Sequence, residues 1–327
     1  MKVLLLVHSQ LIPDTQIDIP AEQRPEYSWI TEYDVARALS KLGHDIEFLG
    51  IDESIDPLVE VLQRKEHSII FNMLEEFNSN TKMESKIVSL MELYGQKYTG
   101  CNSKGLLIAK DKALSKKILK YHNIGTPHFF TIKKNKKMKL PKTLEFPLIV
   151  KCLFEEASLG IAKASVVHSE EKLQARIRFI HDSLNQDAIA EEFIEGKELF
   201  VGIMGDKNLK VLPIIELIFD KSDEPGKEIY SSRAKWNEDY RARNGIDTMP
   251  AELSKELTEK ISKYCKRAYR ALGITGYARL DIRVTKDEKI FLLEANPNPN
   301  IARDDDFAKA ANLYGLDYEA LIQALIK

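Results

Sequence analysis

A chain of 327 residues with 44% hydrophobic content is long enough to bury a substantial core and to divide into two or three domains. Forty-eight basic residues against 50 acidic ones leave a formal charge of -2, which excludes an overall field that would draw the molecule onto nucleic acid or an anionic membrane. Three cysteines, Cys101, Cys152 and Cys265, are too few and too scattered for a disulfide framework; they suit a reducing compartment, and the cytoplasm is the expectation.

The chain opens with an apolar run, Val3-Leu4-Leu5-Leu6-Val7, too short for a signal peptide and with no small-residue cleavage site behind it, so it reads as a first buried strand. No later stretch reaches the roughly 20 apolar residues of a membrane helix, and spanning is excluded. Further apolar runs at 45–49 and 68–73 alternate with helical patterns at 32–42 and 82–93, which is the alternation of a parallel α/β sheet. Near Tyr98-Thr99-Gly100 this pattern gives way, marking a domain boundary close to residue 100. Residues 111–121 then carry lysines and leucines at helical spacing, ended by Gly125 and Pro127. From Pro147 onward the strands look longer and paired, at 148–151, 188–194, 200–204, 211–217, 277–284 and 290–295, so the last part reads as antiparallel α+β. Residues 221–250 show no sustained apolar period and are expected to form a long mobile loop closing over a site.

The most informative segment is Tyr277-Ala278-Arg279-Leu280-Asp281-Ile282-Arg283-Val284, a polar turn through Lys286-Asp287-Glu288-Lys289, and Ile290-Phe291-Leu292-Leu293-Glu294-Ala295-Asn296. Two alternating strands around one tight turn predict a hairpin. With the turn centred between Asp287 and Glu288, Asp281 falls opposite Glu294 and Arg279 opposite Asn296, their Cβ atoms ~5 Å apart on one face. Facing carboxylates repel, so the pair calls for a cation, a shared proton or a nearby arginine, and Arg279 offsets only part of it. The hard oxygen donors of Asp281, Glu294 and Asn296 suit Mg2+ bridging substrate phosphates, with Mn2+ able to stand in; the thiolate and imidazole clusters that zinc prefers are missing. The competing reading is a solvated surface hairpin. Against it stands the rigid run Asn296-Pro297-Asn298-Pro299-Asn300, since turn-rich segments after an apolar strand present groups into a cleft.

No Walker-type glycine–lysine loop and no Gly-x-Gly-x-x-Gly occurs, so a phosphate site has to be built otherwise. The stretch Phe154-Glu155-Glu156-Ala157-Ser158-Leu159-Gly160-Ile161 has small residues where main-chain N–H groups can approach phosphate. Lys151 ends an apolar strand and needs an anion to justify its partial burial, unless its ammonium snorkels to solvent. Lys112 opens a helix behind Asp111, where the amino end of the helix and the lysine together can face an anion, although lysine-rich helix faces are usually only solvated. The basic run at 133–139 contains no aromatic residue for stacking and reads as a solvated turn, not a nucleic-acid contact.

Taken in order, these segments resemble the ATP-grasp superfamily and, within it, the D-alanine-D-alanine ligase-like branch, over nearly the whole chain. Tyr98-Thr99-Gly100 is similar to the family's motif ahead of the central domain, Asp111-Lys112 to its helix start, and Ile149-Val150-Lys151 to its nucleotide-binding strand. Glu191-Glu192-Phe193-Ile194-Glu195-Gly196-Lys197-Glu198 looks like its adenine hinge. The resemblance implies a parallel α/β pre-ATP-grasp domain over residues 1–100, then a two-lobed α+β ATP-grasp fold with a central lobe over 101–190 and a C-terminal lobe over 191–327. It implies ATP and Mg2+ as cofactors. Lys112, Lys151 and the Ser158-Leu159-Gly160 loop would hold phosphates; the hinge at Glu191, Phe193 and Ile194 would read the adenine edge, and Glu198 the ribose hydroxyls. Lys235 would come down on the γ-phosphate, Asp281, Glu294 and Asn296 would hold the metal, and Arg279 would serve the acyl-transfer centre. The implied reaction joins a small-molecule carboxylate to an amine through an acyl phosphate; dimerisation through the first domain is implied by the resemblance alone.

Departures from the family concentrate at the substrate end. The family's amino-terminal glutamate, loop serine and loop tyrosine have no counterparts: Gln10-Leu11-Ile12-Pro13-Asp14 follows the first strand, Ala157 replaces the serine and Trp236 the tyrosine. The histidine-glycine motif after the third strand is replaced by Asn72-Met73-Leu74-Glu75-Glu76-Phe77, and the serine that receives the second substrate's carboxylate aligns with Asp305. An aspartate there repels a carboxylate, so at least one substrate is expected not to be a simple D-amino acid. Glu75, Glu76, Asn300 and Asp305 are the candidate substrate residues, with Asp305 facing an amine or another cation, while acidic residues at 304–306 also suit the amino end of the helix that follows. Two alternatives stand beside the small-molecule ligase: a ligase modifying a protein or peptide terminus, and a nucleotide-binding regulator that has lost turnover.

Overall fold

The computed structural model describes residues 1–136, 138–154, 161–220, 229–231, 234 and 237–326. β1 (Lys2–His8) is apolar from Val3 to Val7, and all five of these side chains are fully buried. It is the central strand of a parallel sheet, between β2 (Asp45–Ile51) and β3 (Ile69–Asn72), which is why it shows no alternation. α1 (Ile30–Lys41) and α2 (Asp56–Arg64) make the crossovers, and α3 (Glu84–Leu93) follows the third strand.

The chain leaves this sheet at a tight main-chain contact. Gly100 and Gly276 both have positive φ, 92° and 69°, and a Cβ at Gly276 would lie 2.4 Å from the Gly100 carbonyl oxygen, so only glycine fits. The next residue's N–H donates to Asn298 Oδ1 at 2.8 Å, and the Asn298 amide donates to Glu84 at 3.0 Å. Two short helices come next, α4 (Ser103–Lys110) and α5 (Lys112–Tyr121). Asp111 caps α5 by accepting from the N–H groups of Ala113 and Leu114 at 3.0 and 2.9 Å, which fixes Lys112 at the first helical position.

A four-stranded antiparallel sheet follows, in the order β4-β7-β5-β6, formed by β4 (Phe129–Ile132), β5 (Leu148–Cys152), β6 (Val166–Val167) and β7 (Ala188–Glu192). With α6 (Glu170–Ser183) against it, this sheet has a small core of its own around Leu148, Val150 and Ile177. The six-stranded sheet runs β11-β10-β8-β12-β13, with β9 paired to β8. Its strands are β8 (Lys197–Met204), β9 (Lys210–Val211), β10 (Ile215–Phe219), β11 (Ile246–Pro250), β12 (Tyr277–Val284) and β13 (Ile290–Pro297). α7 (Glu238–Asn244) precedes β11, α8 (Lys255–Ala271) precedes β12, and α9 (Asp306–Leu313) and α10 (Tyr318–Leu325) close the chain. Leu257, Ile261, Cys265 and Ala268 lie on one face of α8 and join Leu4 and Leu6 of β1 and Leu280 of β12 in a single cluster, so the first and last sheets share one core. The fold is the mixed α/β architecture expected, a parallel sheet followed by antiparallel ones.

Three details differ from the reading of the sequence. The strand expected over 211–217 is two strands, since Pro213 between them has no N–H to donate to a ladder. The long loop expected over 221–250 holds regular structure from residue 238 on: α7, capped by the Asn237 side chain and ended at Gly245 with φ 58°, then β11 paired with β10. Seven largely polar residues are too few to show an apolar period. The hairpin turn is centred on Asp287, with a left-handed residue at Glu288 (φ 56°), half a residue from the position expected. A β-bulge at Leu293 makes up the difference: Ile282 pairs with Leu292, while Asp281 pairs with Glu294.

Among the described residues no helix is long and apolar enough to cross a membrane. The three cysteines are buried free thiols.

Candidate functional site

Arg279, Asp281 and Arg283 alternate along β12 and therefore share one face, and across the hairpin Asn296 and Glu294 stand opposite Arg279 and Asp281. The Arg279 guanidinium forks onto Asp281, Nε to Oδ1 at 2.8 Å and Nη2 to Oδ2 at 2.9 Å, and Asn296 Nδ2 donates to Oδ2 at 3.0 Å. Burial raises the Asp281 carboxyl, Arg279 pulls it back, and Glu294 and Glu198 push it up again, leaving it at about 6. For Arg279, burial works against the charge, but Asp281 more than offsets it and holds the guanidinium protonated. A buried carboxylate still raised with an arginine on it, beside a second carboxylate, is a donor set short of positive charge. That chemistry fits a hard divalent cation between Asp281 and Glu294, with the Asn296 amide turned to offer its oxygen. Among the described residues no three His, Cys, Asp or Glu side chains gather as ligands, so the protein would supply few donors and leave the rest to phosphate and water, as Mg2+ prefers.

On the other side of the hairpin, Glu191 near the end of β7 is 1% exposed and sits between two buried lysines, Lys116 Nζ at 3.3 Å and Lys151 Nζ at 3.2 Å. Burial alone would raise the Glu191 carboxyl, but the two ammonium groups bring it below the ordinary glutamate range. Lys116, itself 1% exposed, also donates to the carbonyl of the bulged Leu293 at 2.9 Å and to Thr126 Oγ1 at 3.1 Å. One lysine thus ties α5, β7 and the hairpin bulge together. Lys112 Nζ lies 3.7 Å from Glu294 Oε2, linking the start of α5 to the carboxylate pair. Glu198 accepts both arms of Arg283 at 3.1 and 2.8 Å, and the same guanidinium donates to the Ile194 carbonyl at 2.7 Å.

Most of these groups face one cleft of about 820 Å³, whose lining does not include Lys112 or Lys116. Lys151, Glu191, Phe193, Ile194, Glu198, Arg279, Asp281, Glu294 and Asn296 line it, as do Glu75, Glu76, Asn300 and Asp305. Ser158, Leu159, Gly160 and Lys235, expected to hold phosphates, lie outside the described residues, as do Ala157 and Trp236. At the far end, Asp304 is taken by Arg24 at 2.7 Å and Asp306 by Thr248 at 2.7 Å, while Asp305, at the start of α9, makes no side-chain bond to the helix it begins.

Five participants escaped the sequence reading. Lys116 is one helical turn beyond Lys112, and Arg283 two residues beyond Asp281; both spacings put them on the face of a residue already singled out. Glu84 and Lys110, buried and paired at 2.5 Å, gave no signal because their elements are distant in sequence. Glu32, in the first turn of α1, is 5% exposed and lines the cleft; burial, opposed by its own main-chain N–H and aided by Glu75, pushes its carboxyl up to about 7. A raised acid weighs on the fold once it is ionised: the penalty is absent below 4.5 and complete above about 7. Glu32→Gln is therefore expected to raise stability by up to about 3 kcal/mol near pH 8 and to leave it unchanged near pH 4, as thermal melts at the two pH values would show.

Residues 112–327 match the family model described as D-ala D-ala ligase C-terminus. The chain belongs to this family. It is similar to the D-alanine–D-alanine ligase of Syntrophotalea carbinolica, 30% identical over 305 residues covering 92% of this chain and 90% of that one. The corresponding ligase of Carboxydothermus hydrogenoformans is 27% identical over 300 residues, 89% of this chain and 90% of that one. An uncharacterized protein of Sinorhizobium fredii, y4sG, is 26% identical over 303 residues, 89% and 85% of the two chains. A crystal structure of the Bacillus anthracis D-alanine–D-alanine ligase complexed with ATP superposes with a TM-score of 0.75 at 23% identity, covering 100% of this chain and 96% of that one, which shows the shared fold. As a member of the D-alanine–D-alanine ligase family, the chain is an ATP-dependent, ADP-forming carbon–nitrogen ligase of the ATP-grasp fold.

Proposed function

We propose that this ligase joins an amino acid or small peptide to an amine through an acyl phosphate, and that its substrates are not the simple D-alanine pair. The observation that carries the reading is the Asp281–Glu294 pair, with Arg279 and Asn296 on its face, in one cleft with Lys151 and the hinge. Lys112, Lys151 and the loop at Ser158, Leu159 and Gly160 would hold the phosphates, Lys235 the γ-phosphate, Glu191, Phe193 and Ile194 the adenine, and Glu198 the ribose. Asp281, Glu294 and Asn296 would hold Mg2+, or Mn2+ in its place, which when bound offsets charge on the transferring phosphoryl group.

A substrate carboxylate oxygen attacks the γ-phosphorus, the bond to the β-phosphate oxygen breaks, and ADP leaves. Lys112 and Lys151 are already desolvated, so little reorganisation is needed as charge moves between oxygens. The neutral amine then attacks the acyl carbon, Arg279 stabilises the tetrahedral oxyanion, and the carbon–oxygen bond to phosphate breaks, the amine proton leaving with phosphate. Asp305 stands where the family's serine receives a carboxylate and would repel one, which supports a different acceptor. The reading includes three units at 1–100, 101–190 and 191–327, a cytoplasmic location, for which three free thiols speak, and a dimer contact on the first unit.

The test is ADP release by the purified full chain with ATP and Mg2+ against pooled amino acids, dipeptides, amines and small acids, with mass spectrometry of responding pools. A product lighter than the acid–amine pair by one water is expected. Silence from every pool, with nucleotide bound, overturns the small-molecule reading and leaves a ligase for protein or peptide termini.

A further inference from the structure

We propose that the acceptor end of the cleft binds an ammonium group on Glu32, so that the amine substrate is a diamine, one nitrogen held as a cation while the other forms the new bond. The inference rests on the ligase reading above and deepens it by naming the acceptor's chemical class.

Glu32 is 95% removed from solvent, yet its remaining surface lines the cleft. Among the described residues it forms no hydrogen bond or ion pair with another residue. Acidic side chains in a first helical turn ordinarily lean on free N–H groups at the surface, where water completes their solvation. Here water is largely excluded, and a carboxylate so placed is costly unless a cation arrives. Among the described residues, the arginines and the buried lysine nearby are committed elsewhere. Arg24 grips Asp34 at 2.5 and 3.0 Å and Asp304 at 2.7 Å, Lys110 grips Glu84 at 2.5 Å, and Arg279 forks onto Asp281. Lys309 lines the cleft too, but it is exposed on α9.

The rest of this end decides between kinds of cation. Glu75 acts directly on Glu32, and Asp305 lines the same cleft. An amino acid would bring a carboxylate into this field together with its ammonium and lose by repulsion what it gains. A diamine brings no anion. Its free amino group meets Glu32 in a charge-assisted hydrogen bond, and its apolar methylenes span toward Arg279.

The experiment is calorimetric titration of the full chain, saturated with ADP and Mg2+, with straight-chain diamines, monoamines of equal length and α-amino acids, repeated on Glu32→Gln. Diamines are expected to bind at least about tenfold more tightly than matched monoamines, and the isosteric variant to lose that margin while keeping its affinity for ADP and its circular dichroism. Diamine binding no tighter than monoamine binding, tighter binding of amino acids, or a margin that survives in Glu32→Gln overturns the inference. Failure of the ligase reading looks different: no ADP release from any pool, with diamine affinity still read by heat alone.

Discussion

Glu294→Ala is expected to lower turnover by roughly 10²–10³-fold or more while leaving the fold intact. Glu294 is half-buried at the hairpin bulge, and its contact with Lys112, at 3.7 Å, is long. Its removal takes this long contact from the buried Lys112. It does remove half of the carboxylate pair, so the loss should fall on kcat and on the concentration of Mg2+ required, with melting temperature within a few degrees of the unsubstituted protein. Activity unchanged at saturating ATP, or an unchanged Mg2+ requirement, would remove Glu294 from the proposed metal site. The Asp281 carboxyl reports the same event independently: losing the neighbouring negative charge should bring it down from about 6, because Glu294 is one of the groups pushing it up.

A second large effect belongs to stability. Glu191→Ala leaves Lys116 and Lys151 buried with no carboxylate between them, and breaking a buried charge network from one side costs about 3–5 kcal/mol. In a domain of this size that lowers the melting temperature by roughly 10 °C. Lys116→Met is expected to cost far less, about 1–2 kcal/mol, because Glu191 keeps Lys151 and the main losses are the bonds to Leu293 and Thr126. Burial already pushes the Lys116 ammonium below the ordinary lysine range, so a neutral side chain is tolerated there. Denaturant melts of the two variants side by side decide the matter: equal losses would mean that Glu191 is held by packing and not by charge. With adenine held at Glu191 as proposed, both variants should weaken ATP binding, the glutamate variant more.

Much of this was legible in the chain itself. Two-residue alternation in 277–284 and across Glu294 and Asn296 fixes which side chains share a face, Arg279 with Asp281 on one strand and Glu294 with Asn296 on the other. The unbroken apolar run of β1 announces a strand covered on both faces, and Asp111 announces a helix whose first residue is Lys112. Local rules suffice there because the interacting groups are neighbours along one element or across one turn.

What the chain alone left undecided involves groups far apart in sequence. Lys116, Glu191 and Leu293 meet only because α5, β7 and the hairpin pack against one another, and Glu32 turns inward only because α1 is laid against the acidic end of the cleft. The bulge at Leu293 shows the division most clearly. Alternation set the pairing of Asp281 with Glu294, but the turn chosen by Glu288 displaces the register, and tertiary packing restores it by extruding one residue whose carbonyl Lys116 then receives. Sequence thus determined the chemistry each element presents, through periodicity and capping. Burial, and with it the charge each group must bear, was decided by which elements were brought together in space.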